Sequence, residues 1–326
     1  MKAIQIHQFG EAEVLRYEDV PEPRPKEGEV LVEVKAAGVN YADILTRRGK
    51  YSQKPLPFVP GFEAAGVILE TGKGVADWKP GQRVMGTVLR DTSGCYAQKA
   101  VMPGWLLLPV PEQFSFEQAA SFSEVFVTAH LALHVNGRLA KGESVLIHAA
   151  GGGVGTAAVQ MARAMGARVF ATASTEEKLG KVKQLGADVL INYSSLDFLE
   201  EVKKHTDGKG VDVVLESVGG EVFDKSLKCL RPLGRLVAYG TSSAQVAAAR
   251  VPDLMAGAIS VAGFSYGFLT VARPDVIRQA MRAVMELFSQ GKIRPVLGHT
   301  FPLAQARAAH ELISSRASFG KVVLVP

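Results

Sequence analysis

Cysteine is nearly missing from this chain. Its 326 residues include only Cys95 and Cys229. Two isolated cysteines make no disulfide framework, and they lack the CxxC spacing of a zinc site. A reducing compartment is the natural reading, and the cytoplasm is the expected location. No apolar run reaches the roughly 18 residues of a membrane-crossing helix. The first segment, MKAIQIHQFGEAEV, has no apolar stretch of the secretory kind. No membrane is expected as a partner. Charge of one sign is also scarce: the formal net charge is +5, and Lys and Arg are mixed with Asp and Glu. Without a basic cluster, nucleic acid is not an expected partner. A mild positive field still suits an anionic small ligand. The seven histidines are scattered without ligand spacing and read as core or surface imidazoles.

What is present is apolar sequence in abundance. Hydrophobic residues make up 47% of the chain, enough for a sizeable core, and the length favours two domains. Up to about Leu108 the chain has short apolar runs broken by Pro and Gly. EVLVEVKAAG (29–38) alternates as a half-buried strand does; EAAGVILETG (63–72) and GQRVMGTV (81–88) read the same way. PEPRPKEG (21–28) and LPFVPG (56–61) read as turns. This is an irregular, mostly-β unit. Residues 115–135 are helical in period, with Ser115 as N-cap.

A regular alternation then begins. The strands are SVLIHAA, RVFATA, VLIN, VDVVLES, GRLVAYG and ISVAGF; the helices between them include VGTAAVQMARAMG, TEEKLGKVKQLG, LDFLEEVKKHT and EVFDKSLKCLR. This rhythm implies a doubly wound parallel sheet with helices on both faces, of the Rossmann type. Residues 274–291 follow as one long amphipathic helix, with Pro274 at its start and Gly291 past its end. FGKVVLVP closes as a strand.

Between the first strand and helix lies HAAGGGVG (148–155). A glycine-rich turn at a helix N-terminus aims backbone N–H groups and the positive end of the helix dipole at an anion. Ala150, Gly152 and Gly155 fall on the three places of the dinucleotide pattern GxGxxG, and Gly153 adds a bare position. The same glycines could serve helix–strand packing alone. NAD sites carry an acid about 20 residues on, at the end of the second strand. Here that strand ends at Ala173 and Ser174, and Lys178 follows. The missing acid removes repulsion against a 2′-phosphate, so NADP is expected over NAD. Lys178 could equally be an ordinary exposed helix lysine.

AAGVNYADILTRRGKY, PGFEAAGVI, GQRVMG, HAAGGGVGTAAVQMARAMGA, SVGG and GKVVL come in an order that resembles the medium-chain dehydrogenases/reductases, in particular their quinone oxidoreductase (zeta-crystallin-like) branch. The resemblance spans nearly the whole chain. It implies a GroES-like catalytic domain over 1–124 and 268–326, and an NADP-binding Rossmann domain over 125–267. The zinc alcohol dehydrogenases of that superfamily place Cys and His where this chain has Asn40 and Phe62. Glu63 alone cannot supply three protein ligands. Four structural cysteines are matched here only by Cys95. A zinc-free enzyme is therefore expected, with no metal as cofactor.

Without a Lewis acid the acceptor must already be electrophilic: a quinone or an activated enone, reduced by hydride from NADPH. The same site would suit an enoyl-thioester or alkenal reductase. Some relatives are crystallins or bind RNA, so a protein that binds NADPH without catalysis is a further alternative. By resemblance, Asn40 and Tyr51 lie near the nicotinamide or the acceptor and are the catalytic candidates. A turn residue and a loop aromatic are the plainer readings of the two. Thr128 resembles the threonine at the nicotinamide end; Gly152, Gly153, Val154 and Gly155 would hold the pyrophosphate. Ser174, Lys178 and Tyr193 resemble the 2′-phosphate group. Ser217, Gly240 and Thr241 end further strands, and Phe264, Ser265 and Tyr266 end another, matching the nicotinamide-contacting stretch. Arg316 and Lys321 are carried over from the C-terminal segment, where surface charge is the alternative. ISVAGF resembles an edge strand paired across subunits, so a homodimer through the Rossmann sheet edge is expected.

Overall fold

The strand–helix rhythm after residue 140 becomes a six-stranded, wholly parallel sheet. Across the sheet the strands run Val189–Asn192, Arg168–Ala173, Ser144–Ile147, Val211–Glu216, Leu230–Ala238 and Ser260–Gly263. In chain order this is 3-2-1-4-5-6, the Rossmann order, with its switch point beside the first strand. The computed structural model describes residues 1–51, 54–90 and 92–326. They form two units, Val125–Arg294 and Met1–Glu124 with Pro295–Pro326.

In the first of these units the central strands must be apolar on both faces, because helices cover both. Val211–Glu216 is buried at every position. Leu146, Phe170, Ile191, Val214 and Leu236 from the sheet join Val202 and Phe223 from helices in one core. Local sequence sets the helix starts. Thr175 caps Glu176–Gln184 by accepting from Lys178 N, and Asp197 caps Phe198–His205 by accepting from Leu199 N. Glu176 and Glu177 in the first turn, and Lys181 and Lys183 in the last, complement the helix dipole. Among the described residues, the outermost strand, Ser260–Gly263, pairs only with Leu230–Ala238.

In the other unit seven strands form a mixed sheet. Their order is Leu297–Pro302, Lys321–Val325, Glu29–Val39, Glu63–Thr71, Arg83–Thr87 and Leu107–Pro109, with Lys99–Pro103 beside the first half of Glu29–Val39. Lys321–Val325 pairs with the second half of Glu29–Val39, so the chain's C-terminal segment is a full member of this sheet. Val30, Val32, Val34, Met102, Val322 and Leu324 lie in its core.

Three expectations need correction. Glu29–Val39 is half-buried only in part: Glu33 and Lys35 are partly exposed, whereas Ala36–Val39 is buried at every position, and helix Phe116–Ala119 packs on the strand. The single helix over 115–135 is broken: Ser115 caps Phe116–Ala119, a new helix runs Ser123–His130, and a wider π-helical winding covers Leu131–Asn136. The boundary expected at 267/268 falls instead between Arg294 and Pro295. The long helix Pro274–Ser289 stays with the parallel sheet's unit, where Gln160 Nε2 donates to Arg294 O at 3.1 Å and Arg294 N donates to Gln160 Oε1 at 2.9 Å.

Candidate functional site

All six parallel strands end on one edge, and the glycine turn opens there. Gly152 is the N-cap of the 12-residue helix Gly153–Ala164. The first-turn N–H groups have no acceptor within a helix, and they form the anion-facing end. Gly152, Gly153 and Val154 are partly exposed, whereas Gly155 is buried. A side chain at Gly155 would run into the carbonyl oxygen of Ala149 and the backbone of Ala150. Gly155 therefore lets the helix close on the strand, while Gly152 and Gly153 keep the turn bare.

The second and third strands bring Ser174, Lys178 and Tyr193 to one corner. Tyr193 N donates to Ala173 O at 3.2 Å, and Ser194 Oγ donates to Ser174 O at 2.9 Å. The two nearby acids are engaged elsewhere: Asn192 Nδ2 donates to Glu176 Oε1 at 2.8 Å, and Glu177 pairs with Lys181 at 2.7 Å. Partial burial lowers the Lys178 pKa from its ordinary value. The corner is thus neutral to basic, and it fits a phosphate better than a ribose diol seeking a carboxylate.

Ser217, Gly240 and Thr241 stand where the next two strands end, and Ser242 N donates to Ser217 O at 2.9 Å. The Tyr239 ring stacks on Phe264, centroids 6.3 Å apart. Phe264 follows the strand Ser260–Gly263, but Tyr266 opens a helix, Tyr266–Ala272, rather than ending a strand. Ser265 caps that helix by accepting from Phe268 N. Thr128 is buried on helix Ser123–His130. Sequence reasoning missed buried Glu216. Its carboxylate accepts from Val218 N at 2.6 Å and Gly219 N at 2.9 Å, and so shapes the turn after the fourth strand.

In the mixed-sheet unit four side chains converge. Asn40 precedes helix Tyr41–Arg47, and its Nδ2 donates to Glu63 Oε1 at 2.9 Å and to Glu124 Oε2 at 2.8 Å. Lys321 Nζ donates to Asn40 Oδ1 and forms an ion pair with Glu63. Glu124 N donates to Glu63 Oε2 at 3.1 Å. Glu63 and Lys321 are 1% and 3% exposed, so this pair is sealed from water and screened little. Gly38 makes the space: a Cβ there would strike the Glu63 side chain and Ala120 O. These partners orient the Asn40 amide fully, and both its N–H donors are occupied within the cluster.

A second network leads away from Asn40. Asn40 N donates to Asp43 Oδ2 at 2.8 Å, as in a capping box. Tyr96 Oη lies 3.0 Å from the same oxygen and 3.2 Å from His310 Nε2, and His310 Nδ1 lies 3.4 Å from Arg47 Nη1. Arginine only donates, so Nδ1 accepts and Nε2 carries the hydrogen. His310 then donates to Tyr96, and Tyr96 donates to Asp43. Arg47 ends the chain on Glu11 at 3.1 Å. Burial lowers the His310 pKa to about 3, which keeps the ring neutral. Burial also raises the Asp43 carboxyl to about 6, and its Oδ1 meets no partner.

Tyr51 packs edge-on against Phe62, ring centroids 5.9 Å apart. The Lys54 ammonium lies over Phe62, 5.3 Å from the ring centroid. Arg316 sits on an exposed turn after helix Ala306–Ser314. Asp43, Tyr96, Glu124 and His310 escaped the sequence reading; the capping-box spacing of Asn40 and Asp43 was the one available signal. Among the described residues no three His, Cys, Asp or Glu side chains are grouped to hold a metal. The donor set does not fit zinc: Glu63 is claimed by an ammonium, position 40 holds an amide and position 62 a phenyl ring.

The protein-family model described as an alcohol dehydrogenase GroES-like domain matches residues 26–112, and that described as a zinc-binding dehydrogenase matches 153–290. The chain is 36% identical over 328 residues to the quinone oxidoreductase of Sus scrofa, covering 100% of this chain and 98% of the relative. The solved quinone oxidoreductase of Escherichia coli, complexed with NADPH, superposes with a TM-score of 0.93 at 34% identity over 100% of both chains. The CurK enoyl reductase superposes with a TM-score of 0.88 at 31% identity, covering 99% of this chain and 98% of that one.

Proposed function

The chain belongs to the quinone oxidoreductase family of the medium-chain dehydrogenases/reductases, and on that premise we propose that it reduces quinones or activated enones with NADPH and without zinc. One observation carries the reading. The buried acid Glu63, in the segment where the zinc enzymes of the superfamily set a ligand, is held by Lys321 and Asn40. With no seat for a Lewis acid, the site suits acceptors that delocalise incoming charge onto their own oxygen.

The 152–155 turn would hold the pyrophosphate, and Ser174, Lys178 and Tyr193 the 2′-phosphate. Thr128, Ser217, Gly240, Thr241, Phe264, Ser265 and Tyr266 are the further candidate contacts, with Arg316 the weakest. Bound NADPH supplies a hydride. The chain's own share is positioning and hydrogen bonding. The Tyr51 phenol, steadied by Phe62, is the candidate donor to the developing oxyanion. Because its donors are occupied, Asn40 acts by holding Glu63, Glu124 and Lys321 in register. The cytoplasm is the expected location. A homodimer through the Ser260–Gly263 edge is part of the same reading: the exposed Val251, Met255 and Phe268 lie on neighbouring elements.

The test is an acceptor screen with NADPH and NADH side by side. Oxidation of NADPH that depends on 1,2-naphthoquinone, and is slower with NADH, is the expected result. Tight NADPH binding with no acceptor-dependent oxidation would point to a binding role instead. The likeness to the CurK enoyl reductase favours a second reading, an enoyl-thioester reductase. Turnover of an enoyl-CoA but not of a benzoquinone would select it.

A further inference from the structure

The Asn40 cluster holds two carboxyl groups and one ammonium. Glu63 Oε1 accepts from Asn40 Nδ2 and pairs with Lys321, while Glu63 Oε2 accepts from Glu124 N. Three donors converge on Glu63. Glu124 receives one, from Asn40 Nδ2 at 2.8 Å, and its Oε1 meets no donor or acceptor among the described residues. Two carboxylates bridged by one amide N–H₂ repel each other, so such a pair holds a proton between them. The hydrogen-bond inventory decides where it rests. Donors stabilise a charged carboxylate, so Glu63 is the ionised partner and Glu124 the acid.

We propose that Glu124 is the proton donor of the reduction, presenting Oε1 to the acceptor while Asn40 holds Oε2. This rests on the reductase reading above. An acceptor that takes a hydride develops negative charge on oxygen. The Glu124 O–H bond breaks, a new O–H bond forms on the acceptor, and the bonding pair stays on Glu124. The acceptor is reduced by two electrons and the nicotinamide oxidised by two. The new carboxylate lies beside Asn40 Nδ2 and near Lys321, and water returns its proton between turnovers. Lys321 thus stabilises the donor after it has given up its proton, without itself losing one.

The surroundings support this order. Burial and the Glu63 charge push the Glu124 carboxyl well above the ordinary range. The charged groups facing it are Glu63 on strand Glu63–Thr71, Lys321 on Lys321–Val325 and Asp43 on helix Tyr41–Arg47. Glu63 and Asp43 raise it, and Lys321 lowers it. Buried Cys95 and Tyr96, whose own pKa values are raised, also feel Glu124 and stay neutral around it. The side chain itself is half-buried, on the first turn of helix Ser123–His130.

Glu124→Gln keeps the acceptor for Asn40 Nδ2 and removes the transferable proton. With NADPH and an enone, kcat is expected to fall about 100-fold or more, with the NADPH Kd unchanged. Infrared difference spectra without acceptor give an independent readout. The carbonyl band of a protonated carboxylic acid is expected at neutral pH in the wild type, and not in Glu124→Gln. The wild-type rate should also fall as pH rises through the Glu124 titration. A flat wild-type profile overturns the proposal even if Glu124→Gln fails to fold. So does wild-type turnover in Glu124→Gln, or a band that survives in it. Absence of any acceptor-dependent NADPH oxidation in the wild type overturns the reductase reading, and the donor role with it.

Discussion

The two units solve opposite problems with opposite materials. The cofactor edge of the parallel sheet is made by what is left out: a side chain at Gly155 and an acid after Ala173. The Asn40 cluster of the mixed sheet is made by what is put in, an acid–base pair at 1% and 3% exposure. The first can be specified by a short stretch of chain, because backbone N–H groups bind and glycines only clear the way. The second needs partners that satisfy each other, because a buried charge without a partner is costly. The lesson is that the fold and cofactor class are local properties here, while the character of the reaction is a long-range one.

The largest effect should come from breaking the buried pair. Lys321→Met leaves the Glu63 carboxylate uncompensated, and should destabilise the protein by about 3–5 kcal/mol. Adding Glu63→Gln should recover much of that loss. Urea unfolding of the single and double variants checks this; equal stabilities would show that the pair is not buried as described.

A smaller effect separates the units by pH. Burial lowers His148, in the parallel-sheet unit, from 6.5 to about 4. Folded His148 then binds fewer protons than unfolded His148 between those values, so its contribution to stability is lost as pH falls from 6.5 towards 4. Asp43, in the mixed-sheet unit, is raised from 3.8 to about 6. Its contribution has the opposite sign: present below 3.8 and lost as pH rises to about 6. Unfolding midpoints at pH 4.5 and 6.5 should therefore draw together in His148→Gln and move apart in Asp43→Asn.

The smallest effect lies at the phosphate corner. Lys178→Ala should weaken NADPH binding about 10-fold, roughly 1.4 kcal/mol, and NADH binding far less. Titration of both cofactors decides, and equal losses would mean that Lys178 does not read the 2′-phosphate.

Legibility followed the same divide. The strand–helix alternation, the glycine turn and the Ser115, Thr175 and Pro274 helix starts could be read because each signal lies within a few residues of what it controls. Tyr266 opening a helix had a local signal too, the Ser265 cap, which the strand-like stretch before it masked. The cluster was largely illegible: Asn40 meets Glu124 across 84 positions, Lys321 across 281, and Arg47 meets His310 across 263. In GKVVL, Lys321 could be a site residue or surface charge; its pairing with Glu63 shows only once the final strand is placed beside Glu29–Val39.

We propose that the Asn40 cluster, with its ammonium and two carboxyl groups, works without zinc. It is tested most directly by measuring zinc by elemental analysis, with NADPH–naphthoquinone turnover before and after exhaustive chelation. Substoichiometric zinc and unchanged turnover are expected. One zinc per chain, with turnover that chelation abolishes and zinc restores, would contradict it.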